Sequence, residues 1–192
     1  MNRRDAITRV GLIFGGTVIG AEAFLSGCTK RSEEAVSWLD FSPGRISLLD
    51  EVGETILPHT ASSPGAKEAK IGEFMKAIVS DCYEEKDQHI FMDGIAKLNA
   101  ASQEKHNNDF TDLSANEKHD LLVAIDKEAK DYGESKQKDD PTHYFTMMKQ
   151  LTLWGYFTSE VGSKQALRYE PLPGKYEGCI PYKKGDKAWA AI

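Results

Sequence analysis

The stretch PTHYFTMMKQLTLWGYFT, residues 141–158, decides the fold class of this chain. Proline is favoured in the first turn of a helix, so we expect a helix that begins at Pro141. Large apolar side chains then occupy every face of that helix instead of a single stripe. A helix of this kind lies in a core or against a partner. The residues that carry the pattern are Tyr144, Phe145, Met147, Met148, Leu151, Leu153, Trp154, Tyr156 and Phe157.

Upstream of this stretch, apolar residues recur at helical spacing, and no long strand-like alternation is present. Ser42 and Pro43 predict the start of a first helix, which Pro58 ends. After a loop rich in Thr, Ser, Pro and Gly, we expect a second helix over about residues 67–83 and a third over about residues 85–105. The inward stripe of the second helix is predicted to be Ile71, Phe74, Met75, Ile78 and Cys82.

Ser114 and Glu117 form a capping-box pattern, which predicts the start of a fourth helix. A charged loop is expected over residues 133–140. After Leu167, prolines and glycines preclude long regular structure, although aromatic residues continue. The prediction is therefore an all-α fold, roughly a five-helix bundle with an irregular C-terminal arm.

The composition is that of a folded protein with one main domain. The chain has 192 residues, of which 40% are hydrophobic and 28% are charged, so disorder is not expected. Its formal net charge is −6, and it has no Lys/Arg-dense stripe. Nucleic-acid binding depends on cationic side chains that neutralise phosphates, so this balance argues against a nucleic-acid partner.

The first residues have the pattern of an export signal. Arg3 and Arg4 precede an apolar run over residues 10–19, and Leu-Ser-Gly then leads to Cys28. This order predicts a twin-arginine signal peptide with lipidation of Cys28. The alternative is an uncut membrane anchor, although the apolar run is shorter than the roughly 20 residues that a span needs.

Three segments follow from this interpretation. Residues 1–27 are the predicted signal peptide, residues 28–41 a tether and residues 42–192 the helical domain. We expect the mature protein to be periplasmic and anchored in a membrane by its lipid, since several acyl chains on one residue bind a bilayer firmly.

Two cysteines remain once Cys28 is assigned to lipidation. Cys82 and Cys179 form a possible disulfide in an oxidising compartment. Two separate thiols are the alternative, because the sequence does not give the distance between them.

The sequence contains no recognisable catalytic pattern. Its five histidines form no zinc-protease, c-type haem or di-iron motif, and there is no nucleophile elbow, phosphate-binding loop or dinucleotide fingerprint. We therefore predict no catalytic, cofactor-binding or metal-binding residue, and we expect a binding partner instead of a catalyst. His59 is the one histidine retained as a candidate, because it lies in the loop after Pro58.

Aromatic residues outside a simple stripe are the candidate contacts with such a partner, because aromatic side chains anchor many interfaces. The alternative for the arm is that it folds back on its own helices. The predicted interface residues are Trp154, Tyr156 and Phe157 of the last helix and Tyr169, Tyr176 and Tyr182 of the arm.

Three blocks resemble the gluconate 2-dehydrogenase subunit 3 family, in the right order and over nearly all of the mature chain. The first block runs from Leu49 to Pro58 and continues with Thr60 and with Ser63-Pro64-Gly65-Ala66. The second is the fairly specific run from Leu151 to Gly162. The third consists of Leu167-Arg168-Tyr169, Pro173-Gly174-Lys175-Tyr176 and Gly178-Cys179.

The resemblance implies a small subunit without a redox centre. Such a subunit binds a large FAD-containing subunit of the glucose-methanol-choline oxidoreductase type, often together with a cytochrome c subunit. Its twin-arginine signal exports the folded, FAD-loaded large subunit as a passenger. Lipidation of Cys28 departs from the family pattern and adds an anchoring role. The complex is expected to oxidise sugars or sugar acids.

Two other functions are compatible with the residues alone. The first is a stand-alone lipoprotein that binds a ligand or acts as a scaffold without a dehydrogenase partner. The second is an independent enzyme that uses His59 or other loop residues.

Overall fold

Five α-helices form the framework of the protein in a computed structural model, which describes residues 38–172, 174 and 178–190. Two short 3-10 helices and a π-helix complete the regular structure, and no strand is present among these residues. The all-α prediction is confirmed. The α-helices are α1 (Pro43–Ile56), α2 (Ile71–Cys82), α3 (Glu85–His106), α4 (Ala115–Ser135) and α5 (Tyr144–Thr158).

Two helix starts agree with the sequence. Helix α1 begins at Pro43, as predicted. At the start of α4, the Glu117 N–H donates to Ser114 Oγ over 3.4 Å, and the Ser114 N–H donates to Glu117 Oε2 over 2.9 Å. The predicted capping box is thus confirmed, and it satisfies two backbone donors that the helix itself leaves unpaired.

Helix α2 begins later than predicted, at Ile71 instead of residue 67. The backbone of Lys70 has a φ of 53°, which separates α2 from the 3-10 helix Ala66–Ala69. The Asp50 carboxylate of α1 accepts a hydrogen bond from the Gly72 N–H over 2.8 Å. Helix α1 therefore caps α2 from outside, a contact that the local sequence does not reveal.

Helix α5 also begins later than predicted, at Tyr144 instead of Pro141. The Tyr132 hydroxyl donates to the Pro141 carbonyl over 2.9 Å, which holds that carbonyl away from a helical partner. His143 is the N-cap, and its Nδ1 accepts a hydrogen bond from the Phe145 N–H over 3.2 Å. Helix α5 therefore begins after the His143 N-cap, and the turn that was expected to start at Pro141 is not helical.

Helix α5 is the centre of the bundle, because it contacts each of the other four helices. Its Phe145 and Met148 are fully or almost fully buried, and Thr152 donates to the Met148 carbonyl over 2.8 Å. Cys82, predicted to face inward, is exposed because it is the last residue of α2. The largest side chains that are fully buried are Phe91, Phe110, Phe145, Leu49, Ile71, Met75, Leu98 and Met148.

Among the residues that the structure describes, no helix combines the length and the apolar character that a bilayer span requires.

Candidate partner-binding surface

The loop between α1 and α2 is held by one carboxylate. Glu54 of α1 accepts hydrogen bonds from the His59 N–H and the Lys67 N–H, each over 2.9 Å. A Cβ atom at Gly65 would lie 2.2 Å from the same carboxylate, so a larger residue there would displace Glu54 from this position. Glu54 thereby fixes both ends of the loop over residues 59–67.

The same loop is joined to α5. The Tyr156 hydroxyl donates to the Pro64 carbonyl over 2.5 Å and lies 2.8 Å from Ser63 Oγ. Tyr156 itself is only 2% exposed. Its predicted role as a partner contact is therefore wrong: its ring is part of the core, and its hydroxyl bonds within the chain.

The outer side of α5 carries an apolar surface near its C-terminal end, which we call the α5 patch: Leu153, Trp154 and Phe157. These side chains are 38%, 53% and 39% exposed. The Phe74 ring of α2 supports the patch, with its centroid 5.4 Å from that of Trp154 in an edge-to-face arrangement. A Cβ atom at Gly155 would lie 2.5 Å from Phe74, so glycine allows α2 to approach.

The structure places the other predicted interface residues in two groups. Trp154 and Phe157 are exposed on the α5 patch, whereas Tyr169 and Tyr182 are 37% and 75% exposed on the C-terminal arm. Tyr176 lies outside the described residues. The first two residues therefore lie on helix α5, and the other two lie on the arm that follows it in the sequence.

Several exposed apolar residues were not among the predicted contacts. Leu153 belongs to a helix that is apolar on every face, so the sequence does not indicate that this residue is exposed. Its exposure depends on how α5 is rotated in the bundle. The arm residues carry no periodic signal, although aromatic and aliphatic residues in a proline- and glycine-rich segment are themselves unusual. The additional residues are Val123, Leu153, Leu172, Ile180 and Trp189.

A charged cluster joins α1, α4 and the loop. Glu51 accepts hydrogen bonds from Lys67 and from Lys118, the latter over 2.9 Å. Burial raises the pKa of Glu51, but the hydrogen bonds from the two lysines outweigh it and leave the pKa below its ordinary value of 4.5. Lys118 Nζ also lies 5.9 Å from the centroid of the Phe110 ring. These bonds link α1, α4 and the loop to one another.

His59, the one histidine kept as a candidate, has its side chain beside the Glu68 carboxylate. His59 Nδ1 lies 3.1 Å from Glu68 Oε1, and its side chain is 67% exposed. Within residues 38–172, 174 and 178–190, no three His, Cys, Asp or Glu side chains are grouped so that they could share a metal ion.

The described residues include both cysteines of the possible disulfide but not the predicted signal peptide. Cys82 and Cys179 are both free and exposed, so the possible disulfide is not formed in this structure: one thiol is at the end of α2 and the other is on the arm. Arg3, Arg4 and Cys28 lie outside the described residues, and the signal peptide and lipidation stay predictions.

A groove between α1, α4 and α5 is open to solvent. It is lined by apolar side chains such as Leu122 and Phe145, with Asp126 and Lys149 at its edge. The Lys149 ammonium donates to Asp126 over 2.6 Å, so these two charges satisfy each other. The α5 patch, in contrast, presents bulky apolar side chains without such a polar pair, and it is the stronger candidate for contact with a protein.

A family model described as gluconate 2-dehydrogenase subunit 3 matches residues 43–174. The matched range begins with α1, includes the loop and the α5 patch, and ends within the C-terminal arm. No curated protein and no solved structure matched the chain.

Proposed function

Because the chain belongs to the gluconate 2-dehydrogenase subunit 3 family, we propose that it is a non-catalytic accessory subunit of a sugar or sugar-acid dehydrogenase. Its partner is an FAD-containing catalytic subunit of the glucose-methanol-choline type, in some complexes together with a cytochrome c subunit. FAD is held by the catalytic subunit, and this chain contributes binding, export and anchoring.

The observation that carries the proposal is the α5 patch. It exposes Leu153, Trp154 and Phe157 next to one another, within the range that the family model matches. Tryptophan is strongly enriched among the residues that dominate binding energy at interfaces. Exposed apolar side chains that share one face favour burial by a partner, and the catalytic subunit is the partner that the family suggests.

The export role follows from the cofactor of the partner. An FAD enzyme that acts outside the cytoplasm is loaded before export and therefore crosses the membrane folded. A twin-arginine signal at Arg3 and Arg4 provides such a route, and the complex is then held at the membrane by a lipid on Cys28. In this proposal one small chain supplies both the signal and the anchor.

Co-purification tests the binding role. The full chain is tagged and purified from the cells that naturally produce it, and the flavin absorbance of the purified material is measured. The double variant Trp154→Ser/Phe157→Ser should reduce the recovered flavin by about 10-fold or more, since two interface anchors are lost. Val123→Ser is the control, because Val123 is an exposed apolar residue of α4, 54% exposed, that is not part of the α5 patch.

Two results would contradict the binding role. The first is the recovery of no flavoprotein with the unsubstituted chain. The second is equal recovery with the double variant and the control, which would exclude the α5 patch as the contact. A melting curve of each variant separates lost binding from lost folding.

Export and anchoring are tested by changes in the signal region. Arg3→Lys/Arg4→Lys should keep both subunits and the dehydrogenase activity in the cytoplasm, whereas Cys28→Ala should release the active complex from the membrane fraction into the soluble periplasm. Normal export of the flavoprotein with the arginine variant would show that the partner has a route of its own.

A further inference from the structure

The C-terminal arm, residues 168–190, differs in charge from the rest of the described protein. Residues 38–167 carry 14 basic and 23 acidic side chains, a net charge of −9. The described residues of the arm carry four basic and two acidic side chains, a net charge of +2. The basic residues of the arm are Arg168, Lys183, Lys184 and Lys187.

The arm is also exposed along its described length. Every described residue from 168 to 189 is exposed, including apolar side chains that proteins usually bury. Leu172 and Tyr182 are 84% and 75% exposed, and Trp189 is 48% exposed. The arm therefore does not fold back into the core of its own helices, which was the alternative.

The base of the arm is closed by backbone pairing. The Arg168 N–H donates to the Ala188 carbonyl over 2.8 Å, and the Ala190 N–H donates to the Arg168 carbonyl over 2.9 Å. The Arg168 guanidinium lies over the Trp189 ring, 4.1 Å from its centroid. Lys187 donates to the Gln165 carbonyl at the end of the helical body. The two ends of the arm are thus held together.

A second feature orders the returning half of the arm. The Asp186 N–H donates to the Lys183 carbonyl over 3.0 Å, and the Asp186 carboxylate accepts from the Lys183 N–H over 2.8 Å. Gly185 has a φ of 101°, a conformation that glycine adopts without strain. This turn presents Lys183 and Lys184 beside Tyr182.

The irregular backbone of the arm favours a protein over a lipid bilayer as its binding partner. A segment that enters hydrocarbon must satisfy its backbone groups internally, as helices and closed barrels do. The described arm has only the pairing at its base and the turn at Lys183. A protein surface can supply the missing donors and acceptors, and an acidic one complements the charge of the arm.

We propose that the C-terminal arm is a second docking element, which binds an acidic, apolar-lined surface of the catalytic subunit. Leu172 and Tyr182 occupy its apolar part, and Lys183 and Lys184 pair with its carboxylates. The inference rests on the proposed function, since it takes the same catalytic subunit as partner. Leu172 lies inside the range that the family model matches, whereas Tyr182, Lys183 and Lys184 follow it. These three residues therefore add selectivity for one catalytic subunit to a contact that the family shares.

The closed base contributes to affinity by reducing the entropy lost on binding, because the ends of the arm are already fixed. Two linked contacts also bind more tightly than either alone, since the second forms at high effective concentration. The two contacts differ in their response to salt. Pairs between exposed charges weaken as salt rises, whereas contacts between apolar groups do not.

The experiment measures the Kd between the full chain and the purified FAD-loaded catalytic subunit at about 50 mM and about 500 mM NaCl, where screening differs strongly. Lys183→Glu/Lys184→Glu should raise the Kd by about 10-fold at low salt, and by clearly less at high salt. Leu172→Ser/Tyr182→Ser should raise it by about 10-fold or more at both concentrations. Each variant should keep the melting temperature, because these side chains lie outside the core.

The control reverses two lysines elsewhere on the surface. Lys127→Glu/Lys138→Glu changes two exposed positions, one on α4 and one in the segment that follows it, and changes the net charge by the same amount as the arm variant. It should change the Kd by less than about 2-fold, because general repulsion of exposed charges is weak at these salt concentrations.

The outcomes separate the two proposals. If the unsubstituted chain and both arm variants bind the catalytic subunit equally well, the arm inference is overturned and the proposed function stands. If the unsubstituted chain does not bind at all, the proposed function fails and the inference fails with it. Flotation with phosphatidylglycerol vesicles provides a further check: loss of vesicle binding with an unchanged Kd for the subunit would assign the arm to the membrane surface.

Discussion

The Tyr156 hydroxyl lies 2.5 Å from the Pro64 carbonyl oxygen, across 92 residues of sequence. Ser63 Oγ lies 2.8 Å from the same hydroxyl and 3.3 Å from the Pro64 carbonyl oxygen, so the three groups form one hydrogen-bonded cluster. The loop after α1 and the helix that carries the α5 patch are therefore joined at a buried point. Two blocks of the family resemblance meet at this hydrogen bond, and its main effect is to fix the loop on α5.

Tyr156→Phe tests this bond directly. The variant keeps the ring in the core but removes the closer donor of the Pro64 carbonyl and leaves it only the 3.3 Å contact with Ser63 Oγ, so the free energy of unfolding should fall by about 1–2 kcal/mol. Urea denaturation measures the change. Tyr182→Phe is the matched control: its hydroxyl is on an exposed side chain, and its removal should leave the free energy of unfolding within about 0.5 kcal/mol of the original value. Equal effects of the two changes would show that the buried bond adds no stability.

Replacement by alanine should destabilise the protein at Gly155 and stabilise it at Gly133. At Gly155 the added Cβ would lie 2.5 Å from the Phe74 ring, so the ring or the helix must shift, at a cost of about 1–3 kcal/mol. At Gly133, within α4, the Cβ meets no atom within 4 Å, and alanine should stabilise the helix by about 0.5–1 kcal/mol. Thermal unfolding of the two variants checks both signs. Stabilisation by Gly155→Ala would mean that α2 and α5 pack less closely than described.

The helices themselves could be predicted because their signals are local. Apolar spacing, the proline at position 43 and the capping box at Ser114 all act within one or two turns of a helix. The boundaries that differ depend on other parts of the fold. Helix α2 is capped by Asp50 of α1, and the Pro141 carbonyl is held by Tyr132 of α4. No pattern within either segment contains that information.

The candidate site could be predicted in part, for a related reason. A helix with apolar residues all round gives no indication of which of its faces is buried. Tyr156 and Phe157 are neighbours of similar size, yet one is 2% and the other 39% exposed. The difference arises because Tyr156 finds a partner in a loop 92 residues away. The exposure of the other α5 residues depends on how the helix is rotated in the bundle. Contacts such as that with Phe74 determine this rotation.

Glu51 is expected to make folding pH-dependent in the acid range. Burial raises its pKa, but the hydrogen bonds from Lys67 and Lys118 leave it below 4.5. The stabilisation by the two lysines is therefore complete above pH 4.5 and is lost as the pH falls through the lower pKa of the folded state. Glu51→Gln should lower the free energy of unfolding by about 1–3 kcal/mol at neutral pH, because Lys118 stays mostly buried without its carboxylate.

Urea denaturation of the Glu51→Gln variant from pH 7 to pH 3 measures this dependence. The gap between the variant and the unsubstituted chain should narrow as the pH falls through the acid range. Glu73→Gln is the control, since Glu73 is an exposed residue of α2 at the 4.0 Å limit of an ion pair with Lys76. A gap for Glu51→Gln that is constant with pH would show that the charge of the carboxylate does not stabilise the fold.

His143 is expected to make folding sensitive to pH in a second, higher range. Its side chain is only 12% exposed, and its Nδ1 accepts the hydrogen bond that caps α5. Burial lowers its pKa below 6.5; Lys97 also lowers it, whereas Glu128, with its carboxylate 3.8 Å from Nε2, raises it. Between that lowered pKa and 6.5 the unfolded chain binds more protons than the folded protein. The free energy of unfolding should therefore fall as the pH falls from 6.5 through the pKa of the folded state.

His143→Asn separates the titration of this residue from its capping role. Asparagine also accepts a hydrogen bond at an N-cap, so the variant should lose only about 1 kcal/mol at pH 7.5, from the lost contacts of the imidazole with Tyr144. Its stability should then change less than that of the unsubstituted chain between pH 7.5 and pH 5. His119→Asn, at an exposed position on α4, controls for the loss of an imidazole. If both variants retain the full pH dependence, a group other than His143 is responsible for it, and the N-cap of α5 is not the acid-sensitive point of the fold.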